Sequence, residues 1–375
     1  MQLAEINPET SNWTADQLTS LRSGAACAAP LLGGEDFAPV SPAICVWDAW
    51  PVQLRDGRLT QPNLWMALAS KWFEDPEARH AEARIHLLEC RDDGWRDLGP
   101  VLPDGFSPGS REWSGSAYLE DDGSTLTLYF TAAGRRGETT LSFLQRLYEV
   151  QMTLRFEGGG AQLSDWRNQR ELIARDPQHY MDSEAGSGTI GTIKAFRDPG
   201  YFQDPKTGQH WLFFTASLAH TGSPFNGAIG AAVARGDRPG DWEVLPPLIS
   251  AEGVNNELER PHAIAHGGLY YLFWSTQSHV FNPDGPGGPT GLYGMVSDRL
   301  SSGWVPLNGS GLVIANPADA PRQAYSWLVL PDLSVTSFVD DWGRPAGAEG
   351  PKRFGGSFAP FLRIALDGAN ASLLR

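Results

Sequence analysis

Three carboxylates stand in settings that an ordinary surface acid lacks. Asp48 lies among aromatic residues in "VWDAWPVQ", Asp198 follows an arginine in "AFRDPGYF", and Glu259 follows a second acid in "ELERPH". Taken singly, each has a structural reading. An Asp before Pro usually turns the chain, an Arg-Asp dipeptide usually forms an ion pair, and a Glu at a strand end is usually solvated. Together they have the makings of glycoside chemistry. One carboxyl, kept protonated by burial or by its neighbours' charge, donates to a leaving oxygen. A second, ionised, attacks or stabilises an oxocarbenium-like carbon. Trp47, Trp50 and Trp113 would offer apolar faces to a sugar, and Ser114, Arg197, Glu257 and His262 would supply hydroxyl contacts.

That chemistry needs the acids in one place, and a repeat in the chain provides a means. Four segments, "GWRDLGPVL", "DWRNQRELI", "DWEVLPPLI" and "GWVPLNGSGLV", carry Trp95, Trp166, Trp242 and Trp304. They recur with a period of about 70 residues, the length of a four-stranded unit with long loops. A second class, "LWMALASK", "LTLYFTAA", "HWLFFTAS" and "LYYLFWST", is rich in aromatic and aliphatic residues and reads as buried strands. The polar motifs at Asp48, Trp113, Asp198, Glu259 and Ser326 precede such strands at one phase of the period. A radial arrangement would turn them all toward one axis, so the expected fold is an all-β, five-bladed β-propeller with the site in its central axial cavity. It is read as a single domain, 1–375. "TADQLTSL", with Thr14 and Gln17 placed as a capping box, predicts a short N-terminal helix over about 14–24. "EDPEARHAEAR", with Pro76 in a first-turn position, is a second helical candidate.

Composition narrows the partners. The chain of 375 residues has 29 basic and 44 acidic residues, a net charge of -15, which argues against nucleic acid and anionic membranes. No stretch is long and apolar enough to span a membrane, and "MQLAEINPETSNW" has neither a basic nor an apolar leader region. Cys27, Cys45 and Cys90 read as free thiols, with Cys45 in the core. Asp204 in "QDPKTG" reads as a turn residue. The histidines lack metal-ligand spacing, "GSGTIGTIKAF" does not have the context of a phosphate loop, and there is no G-x-S-x-G nucleophile elbow.

The motifs "VWDAWPVQ", "REWSGS", "AFRDPGYF", "GVNNELERPH", "LNGSGLV" and "GGSFAP", in this order, make the chain similar to the levansucrase and inulosucrase family, glycoside hydrolase family 68. The resemblance runs from "SNWT" to "FLRIAL" and itself implies a five-bladed β-propeller. It implies that Asp48 is the nucleophile, Glu259 the general acid/base and Asp198 the transition-state stabiliser. Trp47, Trp113, Ser114 and Arg197 match residues around the fructosyl unit, Glu257 and Arg260 residues that orient the acid/base and the glucosyl side, and His279 a residue facing the leaving or acceptor sugar. The implied activity is that of a sucrose-cleaving fructosyltransferase of levansucrase type, with sucrose and fructosyl acceptors as partners. The alternative is a β-fructofuranosidase acting mainly by hydrolysis or making short oligosaccharides, and a sugar-binding propeller without chemistry stands third. No cofactor is implied. Many Gram-positive members bind a structural calcium through an acid where this chain has Asn256, so no calcium is expected here. Trp327 replaces a common His and Ser278 a frequent Arg, which suggests an altered acceptor rim. The substrate points to an extracellular or periplasmic setting, with the cytoplasm as the alternative. Linkage type, product length and oligomeric state stay open.

Overall fold

The computed structural model describes residues 8–21, 27–158, 160–185, 192–236 and 238–374. The chain is all-β apart from short helical turns. It is built as successive antiparallel meanders, each strand pairing with the next. The first runs Cys45–Leu54, Leu64–Ser70, Arg84–Arg91 and Gly94–Pro100. The second runs Arg111–Leu119, Thr125–Ala133, Gln145–Glu157 and Gly160–Glu171. The third comprises Phe196–Gln203, His210–Ser217, Gly227–Ala234 and Trp242–Ser250. In the fourth, Glu259–His266, Leu269–Thr276 and Gly291–Ser297 are edged by Val305–Pro306 and Leu312–Ala315. The last runs Ala324–Val329, Ser334–Val339, Leu362–Asp367 and Asn370–Leu374.

The repeat seen in the sequence maps onto these layers. The apolar class falls on the second strands, which are buried along their length: every residue of Leu64–Ser70 and His210–Ser217 is buried. Strands covered on both faces read as continuous apolar runs rather than as alternation. The Trp segments fall on or beside the outer strands. The first strands of neighbouring meanders approach closely. Residues 52–54 pair in parallel with 117–119, which fuses the first two meanders into an eight-stranded sheet. A Cβ at Gly200 would collide with the Pro261 carbonyl of the next meander. The last meander returns to the first, where the Val46 N–H donates to the Gly356 carbonyl at 3.0 Å.

The N-terminal helix is shorter than its sequence suggests. It covers only Ala15–Leu18, with the Thr14/Gln17 capping box formed. The Thr19 and Ser20 hydroxyls then donate to the Asp16 and Gln17 carbonyls, both at 2.6 Å, and such local bonds compete with helix continuation. Residues 22–24 of the expected helix lie outside the described residues, as do residues 186–191 of the glycine-containing stretch. Pro76–Ala81 forms a 3₁₀ turn capped by Asp75. Asp204 closes the turn before His210 and accepts from the Lys206 N–H at 2.9 Å. Cys45 is buried, and none of the three cysteines forms a disulfide. Among the described residues no helix is long and apolar enough to cross a membrane.

Candidate active site

The site is made by a defect repeated in every first strand. Each breaks register with its second strand at the same height. The breaks lie between Trp47 and Trp50, Trp113 and Gly115, Arg197 and Gly200, Glu259 and His262, and Tyr325 and Leu328. Such bulges bend a strand and re-aim its side chains. In four of them a non-glycine residue adopts left-handed backbone: Asp48 (φ 48°), Asp198 (φ 60°), Arg260 (φ 52°) and Ser326 (φ 59°). That conformation costs about 1–2 kcal/mol per residue and persists where the surroundings over-determine it. In the second meander Ser114 is followed by Gly115, where a Cβ would collide with the Tyr129 carbonyl.

The bulges correct the phase of the motifs. The structurally equivalent residues are Asp48, Ser114, Asp198, Arg260 and Ser326. Glu259 stands one residue earlier, level with Trp47, Trp113, Arg197 and Tyr325. Two of the three acids are therefore aimed from the bulge position and the third from the residue before it.

Asp48, Asp198 and Glu259 line one cavity of about 630 Å³, together with Trp47, Trp113, Ser114, Arg197, Glu257, Arg260 and His279. Trp50 and His262 do not reach it. They line a second cavity, of about 530 Å³, that shares Asp198 and Arg260 with the first. The His262 Nε2 accepts from the Val329 N–H at 2.9 Å, which leaves Nδ1–H to donate to the Arg260 carbonyl at 3.0 Å. Both nitrogens serve the fold, and burial lowers the imidazole to about 4. Trp327, 1% exposed, packs in the core, and neither it nor Ser278 lines the cavity.

Electrostatics separates the acids. Asp48 accepts from the Ser114 hydroxyl at 2.9 Å and has no ion pair among the described residues, so its charge faces the cavity. The other acids crowd one guanidinium. Arg197 lies 2.8 Å from Glu259, 3.4 Å from Glu257 and 3.5 Å from Asp198. Burial, reinforced by the charges of Glu259 and Asp48, lifts the Asp198 carboxyl to about 7 against the pull of Arg197. Burial and the Glu259 charge raise Glu257 as well. At neutral pH the cluster thus holds a proton that free carboxylates would have released.

Several functional groups escape a reading of the sequence. The Tyr325 hydroxyl donates to Glu259 Oε2 in a short hydrogen bond. Its only signal in the sequence is its place beside Ser326 in "AYSWLVLP", at the level Glu259 occupies in its own strand. Thr215, on a second strand, donates to Asp198 Oδ2 at 3.0 Å and accepts from the Arg260 N–H at 3.1 Å. Arg260 donates to Ser326 Oγ at 2.5 Å and to the Ala49 carbonyl at 2.6 Å, which ties three bulges together. At the rim, Lys352 bridges Glu77 at 2.9 Å and Asp340 at 2.6 Å. The Trp113 Nε1 and Arg197 Nη1 donors are buried without a partner among the described residues, and both residues line the cavity. Buried donors of this kind are normally satisfied, and the hydroxyls of a ligand would do it.

A calcium ion does not fit at Asn256. Its side-chain oxygen already accepts from the Lys194 ammonium at 2.6 Å, and a divalent cation there would meet that charge directly.

A family model described as levansucrase/invertase, glycoside hydrolase family 68, matches residues 3–224 and 221–374. The levansucrase LscA of Pseudomonas savastanoi pv. glycinea is 33% identical, over 98% of this chain and 94% of that protein. A levansucrase of Rahnella aquatilis is 31% identical, again over 98% and 94%. Among solved structures, an inulosucrase from Halalkalicoccus jeotgali bound to kestose superimposes with a TM-score of 0.89 at 34% identity, over 97% of this chain and 95% of that one. A levansucrase from Gluconacetobacter diazotrophicus shares the fold, with a TM-score of 0.86 at 24% identity, over 100% of this chain and 92% of that one.

Proposed function

The chain belongs to the levansucrase and invertase family, and from that membership we propose that it cleaves sucrose and transfers the fructosyl unit with retention of configuration. One observation carries this reading: Asp48, Asp198 and Glu259 share a single cavity with Arg197 and Trp113, both of which present unpartnered donors. We read the five meanders as the blades of one propeller, with this cavity on its axis. Support comes from the equivalent bulges in all five first strands.

In this mechanism Glu259 delivers its proton to the glycosidic oxygen while Asp48 attacks the fructosyl anomeric carbon. The bond to the glucosyl oxygen breaks, and glucose leaves. Asp48 suits the nucleophile because its carboxylate faces the cavity without a cation. Asp198 and Arg197 hold fructosyl hydroxyls as positive charge develops on the ring. Glu259, now a base, takes a proton from an acceptor hydroxyl, whose oxygen attacks from the face that glucose left, opposite Asp48, and breaks the bond to the Asp48 carboxylate. Water as acceptor gives free fructose, and a sugar hydroxyl gives transfer. No metal takes part in this scheme, a reading supported by the Lys194 ammonium at Asn256.

The test is to incubate the purified protein with sucrose and measure free glucose and free fructose together. Glucose in excess over fructose is the expected result. Equal amounts would make the protein a hydrolase. Release of neither by folded protein would refute the catalytic reading.

A further inference from the structure

Lys194 is a buried cation that the mechanism above does not use, and it is absent from the cavity wall. Its ammonium donates to the Pro224 carbonyl at 2.5 Å, Asn226 Oδ1 at 2.8 Å and Asn256 Oδ1 at 2.6 Å. These three oxygens come from two separate loops, around 224–226 and 255–257, and all belong to neutral groups. An ammonium has only donors, so it dictates the orientation of the Asn256 amide. The oxygen must face Lys194, and the NH₂ must face away. That NH₂ donates to Glu257 Oε1 and to the Ile193 carbonyl, both at 3.2 Å. Glu257 is held from its other side by the Asn255 side chain, which accepts from its N–H at 2.7 Å, and by Arg197. Arg197 in turn reaches Glu259.

We infer that Lys194 is a positioning residue for the reaction: through Asn256 it fixes Glu257, and through Glu257 and Arg197 it sets the place of the acid/base Glu259. The inference rests on the proposed sucrose chemistry. The geometry makes the lysine an internal substitute for a bound cation, gathering oxygens from two loops at the edge of the active site. An arginine cannot replace it, because a planar fork does not direct its donors at three oxygens around one point.

The test uses Lys194→Met and Asn256→Asp in the full chain, with kcat, KM for sucrose and Tm measured for each. Lys194→Met removes the donor and keeps a flexible, unbranched apolar stem one atom shorter. A misplacement of order 1 Å at a reacting group costs about a hundredfold, so kcat is expected to fall by about that factor with KM within threefold. Asn256→Asp keeps a partner for Lys194 and so keeps the fold. It replaces the donor to Glu257 with a like charge, and kcat is expected to fall at least tenfold with Tm held or raised. Lys194→Arg is expected to leave kcat low. The inference is overturned if Asn256→Asp keeps wild-type kcat, or if folded Lys194→Met loses Tm but not kcat, the signature of a merely structural lysine. Wild-type protein run alongside separates the two failures. Glucose release that the variants do not disturb refutes the positioning role alone. No release by the wild type refutes the sucrose reading and takes this inference with it.

Discussion

Asp198→Asn should stabilise the fold while abolishing its chemistry. The Asp198 carboxyl is lifted from an ordinary 3.8 to about 7, chiefly by burial and then by Glu259 and Asp48. Between those two values the folded chain binds a proton that the unfolded chain has lost, so stability falls as pH rises through this window. The benefit of the protonated form is complete below about 3.8 and gone once pH passes about 7. Three units at 1.36 kcal/mol each set its size at about 4 kcal/mol. Asparagine has the same shape, keeps an oxygen for the Thr215 hydroxyl and does not titrate. The two proteins should therefore be nearly equally stable at acidic pH, and the variant should gain about 2–4 kcal/mol over wild type well above pH 7. Urea unfolding followed by tryptophan fluorescence, at a series of pH values from about 4 to about 8.5, reads this difference across the window. Glucose release in the same samples should fall by about 10²–10³-fold, the usual loss on removing one electrostatic stabiliser. A stability difference that does not change with pH, or a variant weaker than wild type at pH 8.5, would refute the argument that burial of this carboxyl is what stores the proton.

Other perturbations separate the remaining groups. Glu259→Gln should lower kcat on sucrose by at least about 10³-fold, because both the acid and the base steps are lost; fructosyl fluoride, whose leaving group needs no proton, should recover much of the first step, and equal losses on both substrates would contradict the acid role. Tyr325→Phe removes the hydrogen bond to the Glu259 carboxyl, which gains charge as its proton leaves; a bond to a charged group is worth about 1.5–3 kcal/mol, so kcat should fall about 10- to 100-fold if it matters mainly in the transition state, and a rise in KM at constant kcat would instead mark a ground-state contact. Incubation with EDTA should leave both Tm and glucose release unchanged, because Lys194 already supplies the positive charge at Asn256; a drop in Tm of several degrees would show a metal to be bound.

How much of this was legible follows from what a strand pattern records. Burial leaves its mark on composition, so the second strands could be read directly: "HWLFFTAS" is apolar because both its faces are covered. The turns and the all-β class followed from the same signals. The motifs carrying Asp48, Asp198 and Glu259 were legible as motifs, and the three acids do line one cavity. What could not be read was register. A bulge adds a residue to one strand without altering its composition, and it reverses which neighbours face the cavity. That is why the sequence puts Asp48 and Glu259 at one phase, although Glu259 aligns with Trp47. It is also why Trp50 and His262, a few residues from the acids, face the other cavity. Partners far apart in sequence were hidden for a related reason. Tyr325 and Glu259 are separated by 66 positions, Lys194 and Asn256 by 62, and neither tyrosine nor lysine is unusual in its own segment. Their roles arise only when the bulges and loops bring the Tyr325 hydroxyl to Glu259 and the Lys194 ammonium to Asn256. The acids could therefore be found from their own surroundings, whereas distant partners such as Tyr325 and Lys194 could be found only from the fold.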